Sequence, residues 1–179
     1  MSERAALVWR PMEGADLDAV LALAARCHPD LPEGRAVFAE RLALFPHGCL
    51  VLEAPSGVAG YAIAHPIRQG SPPALGSLLG SLAADTDQFY LHDVVVAPEM
   101  RGQGASAAAV RRLLDVAAAY PTTALVSVYG TAGFWSRFGF RPVGRSMSEK
   151  LRGYGGDAVF MERNNRAGRP REEERPSSA

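Results

Sequence analysis

The chain has 179 residues, a length that suits one domain. Hydrophobic residues make up 47% and charged residues 21%, enough apolar material for a packed core, and 19 basic residues balance 19 acidic ones. That neutral balance argues against a polyanion-binding surface, hence against nucleic acid as a partner, and no run of about 18 apolar residues is present to span a membrane.

The N-terminal MSERAALVWRP lacks the apolar core of a signal peptide, being broken by Arg10. With reduced thiols expected at Cys27 and Cys49, this points to a cytoplasmic protein. His28 and His47 lie close to those cysteines, yet no Cys-x-x-Cys or Cys/His metal spacing results, so no metal is expected. Ala6–Arg10 reads as a first strand. Asp16 can open a helix to about Arg26, with Leu17, Val20, Leu21 and Ala24 on one stripe, ended by Pro29 and Pro32. A second amphipathic helix is predicted over Gly34–Leu44. Cys49–Ala54 and Val58–Ile63 flank Pro55-Ser56-Gly57 and read as a hairpin. His65–Gln88 is rich in Pro, Gly and Ser, with Leu75, Leu78, Leu79 and Leu82 lending some helical character. A loop this long in a compact domain is usually functional, and here it is placed to cover an acceptor site.

Tyr90–Val96 is a strand-like run ending at Ala97-Pro98. A turn with Arg101, Gly102 and Gly104 follows, then a helix predicted over Gly104–Tyr120. Strand, glycine turn and helix together make a phosphate cradle: free amides at a helix start converge, the helix dipole adds positive charge, and small residues permit close approach. Gly102-Gln103-Gly104-Ala105-Ser106-Ala107 also fits the dinucleotide fingerprint. However, five residues separate these glycines from the strand, and the residues some 20 positions on, Ser127, Val128 and Tyr129, include no acid. A Walker A loop is excluded because no G-K-[ST] follows the glycines. Further on, Thr122–Tyr129 reads as a strand, Gly130–Phe138 as a short helix closed by Gly139, and Arg141–Met147 and Ala158–Arg163 as closing strands. The expected layout is one domain over 1–163 and a disordered polar tail over 164–179.

Val94-Val95-Val96-Ala97-Pro98-Glu99-Met100-Arg101-Gly102-Gln103-Gly104-Ala105-Ser106 resembles motif A of the GNAT superfamily of acyl-CoA-dependent N-acyltransferases, with pattern V-x-P-x-x-R-G-x-G-x-G/A. Ser106 stands where Gly or Ala is usual. Phe134-Trp135-Ser136-Arg137-Phe138-Gly139-Phe140 resembles the family's motif B, F-Y-x-x-x-G-F. The resemblance spans roughly Leu7 to Arg163. It implies an α/β (α+β) GNAT fold: a mixed twisted sheet of six to seven strands with helices on both faces, splayed at the motif-A strand. It further implies acetyl-CoA as acyl donor, a small-molecule or peptide amine as acceptor, and a possible homodimer through the closing strands.

Carried over residue by residue, the resemblance puts the acyl-CoA site at Val94, Val95, Val96, Arg101, Gly102, Gln103, Gly104, Ala105, Ser106 and Phe134. Diphosphate would rest on the cradle, the pantetheine arm would run along Val94 and Val96, and Phe134 would flank that arm. Arg111 and Arg112 are within reach of the adenosine 3′-phosphate or else simply solvated. In motif B the family often uses Tyr as the acid for the departing thiolate. Trp135 occupies that position, and its indole N–H does not release a proton at neutral pH. Tyr129 or a solvent proton would substitute. His92, as an imidazole, could relay the amine's proton. Asp93 interrupts an apolar run and could bind a cationic acceptor, act as base, or satisfy donors at a β-bulge. Strict alternation puts Tyr90, His92 and Val94 on one face and Leu91, Asp93 and Val95 on the other. The alternative reading is a GNAT-fold module that binds acyl-CoA without turnover.

Overall fold

The computed structural model describes residues 7–144, 147 and 149–166. Seven strands form one sheet: β1 (Val8–Pro11), β2 (Cys49–Ala54), β3 (Gly57–Ile67), β4 (Gln88–Val96), β5 (Thr122–Ser127), β6 (Arg141–Pro142) and β7 (Val159–Asn164). Their order is β1-β2-β3-β4-β5-β7-β6. Every neighbour is antiparallel except β4 and β5, which are parallel because a helix crosses between them. The helices are α1 (Leu17–Cys27), α2 (Arg35–Leu44), α3 (Ala105–Ala117) and α4 (Ala132–Ser136).

Period-two alternation sorts the side chains onto two faces. Leu50 and Leu52 of β2 and Ala62 and Ala64 of β3 join the core under α3, with Ala105, Ala109, Leu113 and Ala117. Val51, Tyr61 and Ile63 face the other way, onto Leu17, Val20 and Leu23 of α1 and Phe38 of α2. Helices therefore cover both faces. At the sheet's first edge, Trp9 Nε1 donates to the carbonyl of Ala105 at 2.9 Å, tying β1 to the start of α3.

One irregularity decides the site. The β3–β4 register slips between Ile63 and Ala64: Ile63 pairs with Asp93, Ala64 with Leu91, and His92 is the extra residue of a β-bulge. β4 pairs with β5 only from Gln88↔Thr122 to Leu91↔Leu125, after which the two strands separate. A bulge sharpens local twist and bends its strand. The one at His92 lies a single residue past the last β4–β5 pair and so opens the sheet at that point.

Several boundaries differ from the sequence reading. β3 continues to Ile67, absorbing His65 and Pro66 into the sheet. Leu75–Leu82 forms turns rather than helix, since Gly76 and Gly80 hold φ of +73° and +72° and Pro72-Pro73 precedes them. α4 is shorter than Gly130–Phe138. The expected strand Arg141–Met147 is paired only at Arg141 and Pro142, and residues 145, 146 and 148 lie outside the described residues. β7 runs through Asn164, and Asn165 donates to the carbonyls of Ala117 and Tyr120, so the folded chain extends beyond Arg163. The rest of the expected tail, 167–179, lies outside the described residues.

Candidate active site

A cleft of about 770 Å³ fills the gap between β4 and β5. The edge of β4 from His92 to Val96 lies beyond the β5 pairing, so its backbone is open to an extended ligand except at the Val96 carbonyl, which Arg101 occupies. Val94 and Val96 pack into the α3-side core and Val95 into the opposite one. All three nonetheless line the cleft, and Phe134, Trp135 and Leu125 form its far wall.

The cradle follows β4 directly. Pro98–Met100 makes one tight turn, Arg101 is extended, and Gly102 and Gly104 sit at φ of +78° and +77°. Space around both glycines is open, so their role is conformational: a side chain at either position would strain the left-handed backbone. The first intrahelical bond of α3 runs from Ala108 N to Gly104 O at 3.0 Å, which leaves the amides of Ala105–Ala107 at the helix entrance. Arg101 Nε donates to the Val96 carbonyl at 3.1 Å, holding the guanidinium along the cleft. Arg112 is used differently from the sequence expectation: its guanidinium donates to the Trp9 carbonyl, so it fastens β1 to α3.

The bulge overturns the expected alternation. His92 and Asp93 both address the segment between α1 and α2. His92 Nε2 lies 2.7 Å from Glu33 Oε2, with side-chain exposures of only 2% and 8%. Asp93 Oδ1 lies 3.0 Å from His28 Nε2, and Tyr61 donates its hydroxyl to Asp93 Oδ2 at 2.5 Å. Burial would raise the Glu33 carboxyl, but its bond to His92 and the amide of Gly76 hold it below the usual range. For His28, burial acts downward, yet the bond to Asp93 and the charges of Asp93 and Glu33 prevail and raise its pKa. Burial and Asp93 together push the Tyr61 phenol well above its ordinary value.

Tyr129 lies at the cleft mouth, 45% exposed, in a left-handed backbone conformation (φ +54°) rare for a residue with a side chain. Its ring stacks on His28, with centroids 5.6 Å apart and planes 7° off parallel. Burial comes first among the causes that raise its phenol pKa. Trp135 packs edge-on against Phe134 and Phe140. Arg137 lies over the Phe134 ring, 5.0 Å from its centroid.

The long loop between β3 and β4 is strapped down beside the cleft. Glu33 accepts from Gly76 N, and Glu40 from Leu79 N and Gly80 N, each at 2.8 Å. The fully buried Arg41 donates to the Ser77 carbonyl, and Tyr154 to that of Pro73. Leu75 is thereby brought to the cleft wall with Tyr154, whose phenol is pushed up to about 12, chiefly by burial. His28, Glu33, Tyr61, Arg41 and Tyr154 were missed from sequence because no local pattern marks them. The sequence noted His28 only as the neighbour of Cys27, and the ring turns to Asp93. Among the described residues no His, Cys, Asp and Glu group could hold a metal ion. Cys49 is buried, its thiol raised to about 12 by desolvation.

The model of the acetyltransferase (GNAT) family matches residues 17–140. No curated protein matches the chain. Among solved structures, the GphF GNAT-like decarboxylase in complex with isobutyryl-CoA is similar at 21% identity and TM-score 0.75, over 88% of this chain and 99% of that one. The loading GNATL domain of CurA from Lyngbya majuscula is similar at 13% identity and TM-score 0.76, over 90% and 99%. Arabidopsis thaliana Naa50, in complex with the bisubstrate analogue CoA-Ac-MVNAL, is similar at 12% identity and TM-score 0.66, over 88% and 98%. At these identities the likeness is one of fold.

Proposed function

Because the chain belongs to the GNAT acetyltransferase family, we propose that it transfers an acetyl group from acetyl-CoA to a primary amine of a small molecule or peptide. The observation that carries this reading is the end of β4–β5 pairing at Leu91, directly upstream of a cradle with two left-handed glycines. In this reading the diphosphate lies against Arg101, Gly102, Gln103, Gly104, Ala105 and Ser106, where helix-entrance amides and the dipole of α3 favour an anion. The pantetheine arm runs along Val94–Val96 and past Phe134, adding one strand to the exposed edge of β4. The thioester then reaches the end of the cleft bordered by His92, Asp93 and Tyr129.

A thioester is already activated, so the protein's work is to orient the amine, polarise the carbonyl and move protons. Asp93 is placed to hold a neighbouring imidazole or a cationic acceptor. Tyr129 stands at the mouth and can protonate the departing thiolate where Trp135 cannot. His92 lies behind, committed to Glu33.

A second reading is use of acyl-CoA without an amine acceptor, either as a binding module or as a decarboxylase. Trp135 favours it, since the position carries no transferable proton. GphF, a GNAT-like decarboxylase, has a comparable fold.

The deciding experiment is calorimetric titration with acetyl-CoA, followed by thiol-release assays with an amine panel and, separately, a carbon dioxide-release assay with malonyl-CoA alone. Amine-dependent thiol release supports acetyl transfer. Loss of carbon dioxide from malonyl-CoA without an amine supports the second reading. Absence of acetyl-CoA binding sinks both.

A further inference from the structure

Two cavities share one wall. The acyl-CoA cleft and a second hollow of about 450 Å³ between α1 and α2 are both lined by His28 and Asp93. The second hollow is largely apolar, with Leu21, Ala24, Leu31 and Phe38 around it. The pair therefore borders both spaces.

The pair has a directional arrangement. Tyr61 donates to Asp93 Oδ2, which fixes the carboxylate and leaves Oδ1 for His28 Nε2. An ionised carboxylate only accepts, so Nε2 carries the ring hydrogen and Nδ1 bears the lone pair when the imidazole is neutral. Nδ1 is buried and has no hydrogen-bond partner among the described residues. The ring cannot rotate freely, because Tyr129 stacks flat against it. His28 also caps the C-terminus of α1, its amide bonded to the Ala24 carbonyl at 2.8 Å, where the helix dipole favours a cation.

We propose that His28 is the general base of acyl transfer, oriented by Asp93 and Tyr61, with Nδ1 accepting the acceptor amine's proton. This rests on the amine-acylation reading. The amine's lone pair forms the C–N bond to the thioester carbonyl carbon while its N–H proton passes to Nδ1. The C–S bond breaks and its electron pair leaves on the coenzyme sulfur. Tyr129 protonates that thiolate and the imidazolium stacked on it restores the phenol proton, so amine plus thioester become amide plus thiol. The titratable groups that line the two cavities with His28 are Arg26, Cys27, Asp30, Glu33, His92, Asp93, Arg101, Tyr129 and Tyr154 in the cleft and Asp18 and Tyr61 in the hollow, and of these Asp93, Glu33 and Arg101 act on its charge. The carboxylates among them outweigh Arg101 and favour the protonated ring.

The test uses the full chain in two independent arms. In the first, imidazole nitrogens are followed by two-dimensional ¹⁵N NMR from about pH 5 to about pH 9, the range a histidine samples. The expected result is a neutral Nε2–H tautomer for His28, with a titration midpoint that falls in Tyr61→Phe and falls further in Asp93→Asn. A neutral Nδ1–H tautomer, or a midpoint indifferent to Tyr61→Phe, overturns the proposal. In the second arm, acetyl-CoA is offered with spermidine, tyramine and glycinamide. His28→Gln should lower kcat by about 100-fold, the low end for a lost general base, and leave the KM for acetyl-CoA within about twofold. Undiminished kcat in His28→Gln overturns it. If acetyl-CoA binds and wild type acetylates none of the three amines, the amine reading fails. The general-base role then falls with it, whereas a failed tautomer or midpoint with active wild type overturns the His28 assignment alone.

Discussion

His28 Nε2 lies 3.0 Å from Asp93 Oδ1, although 65 positions separate the two residues. The contact exists because a β-bulge at His92 turns Asp93 toward α1 and because α1 ends at Cys27, delivering His28 to the same spot. A regular β4 would alternate His92 and Asp93 to opposite faces. Here both reach the α1–α2 segment, one through Glu33 and one through His28.

Charge at the cradle is the first thing to test. Arg101→Glu reverses a cation held along the cleft by its bond to Val96. Acetyl-CoA affinity should fall by about tenfold or more, corresponding to about 1.4 kcal/mol or more, measured by calorimetry. Unchanged affinity would remove the diphosphate from this turn.

Gly104→Ala should cost stability through backbone conformation alone. The position has open space around a would-be Cβ but a φ of +77°. A left-handed alanine costs about 1–2 kcal/mol. In a chain of this size that is a drop of about 2–8 °C in Tm, read by calorimetry. Acetyl-CoA binding should weaken in the same variant, because the helix-entrance amides would shift. A variant as stable as wild type and equal in affinity would show the left-handed turn to be dispensable.

Glu40→Ala should release the long loop beside the cleft. Both carboxylate oxygens of Glu40 accept loop amides, Gly80 N and Leu79 N. Hydrogen exchange at those two amides should quicken more than at the sheet amides, and limited proteolysis should cut between Leu75 and Leu82, while loss of the ion pair with buried Arg41 adds a general destabilisation. Equal protection in both proteins would mean that Arg41 and Tyr154 hold the loop without Glu40.

Two histidines should move stability in opposite directions with pH. His65 is fully buried, and burial, aided by nearby His92, pushes its pKa down to about 3. The unfolded chain therefore binds a proton that the folded chain refuses, and stability is lost as pH falls below about 6.5 toward that depressed value. Acid denaturation of His65→Gln should take up about one proton less over that window. Equal proton uptake by the two proteins would contradict it.

His28 has the reverse sign. Its folded pKa lies above the ordinary value, so the ion pair with Asp93 stabilises fully below the unfolded pKa of about 6.5 and fades as pH rises through the folded one. The Tm advantage of wild type over His28→Gln should be larger near pH 6 than near pH 9, by differential scanning fluorimetry. A constant advantage would mean that His28 stabilises by packing on Tyr129 alone.

Much of the molecule was readable from contiguous residues. The hairpin of Cys49–Ala54 and Val58–Ile63, the stripe of α1 and the glycine turn after Met100 each express local sterics or local periodicity, which neighbours along the chain settle between themselves. The turn at Arg101–Ser106 belongs to the same class, because φ at Gly102 and Gly104 is a property of those residues. What alternation could not supply was the slip at His92. Nothing inside the run Gln88–Val96 marks which residue will bulge, since the slip is a mismatch between β3 and β4 and arises only on pairing. The pairing of His92 with Glu33, of Asp93 with His28 and Tyr61, and of Arg41 with the loop had the same origin. Each is a polar contact between segments remote in the chain, formed because a buried polar group must be paired, and Arg41 adds the loop to the bond it already makes with neighbouring Glu40.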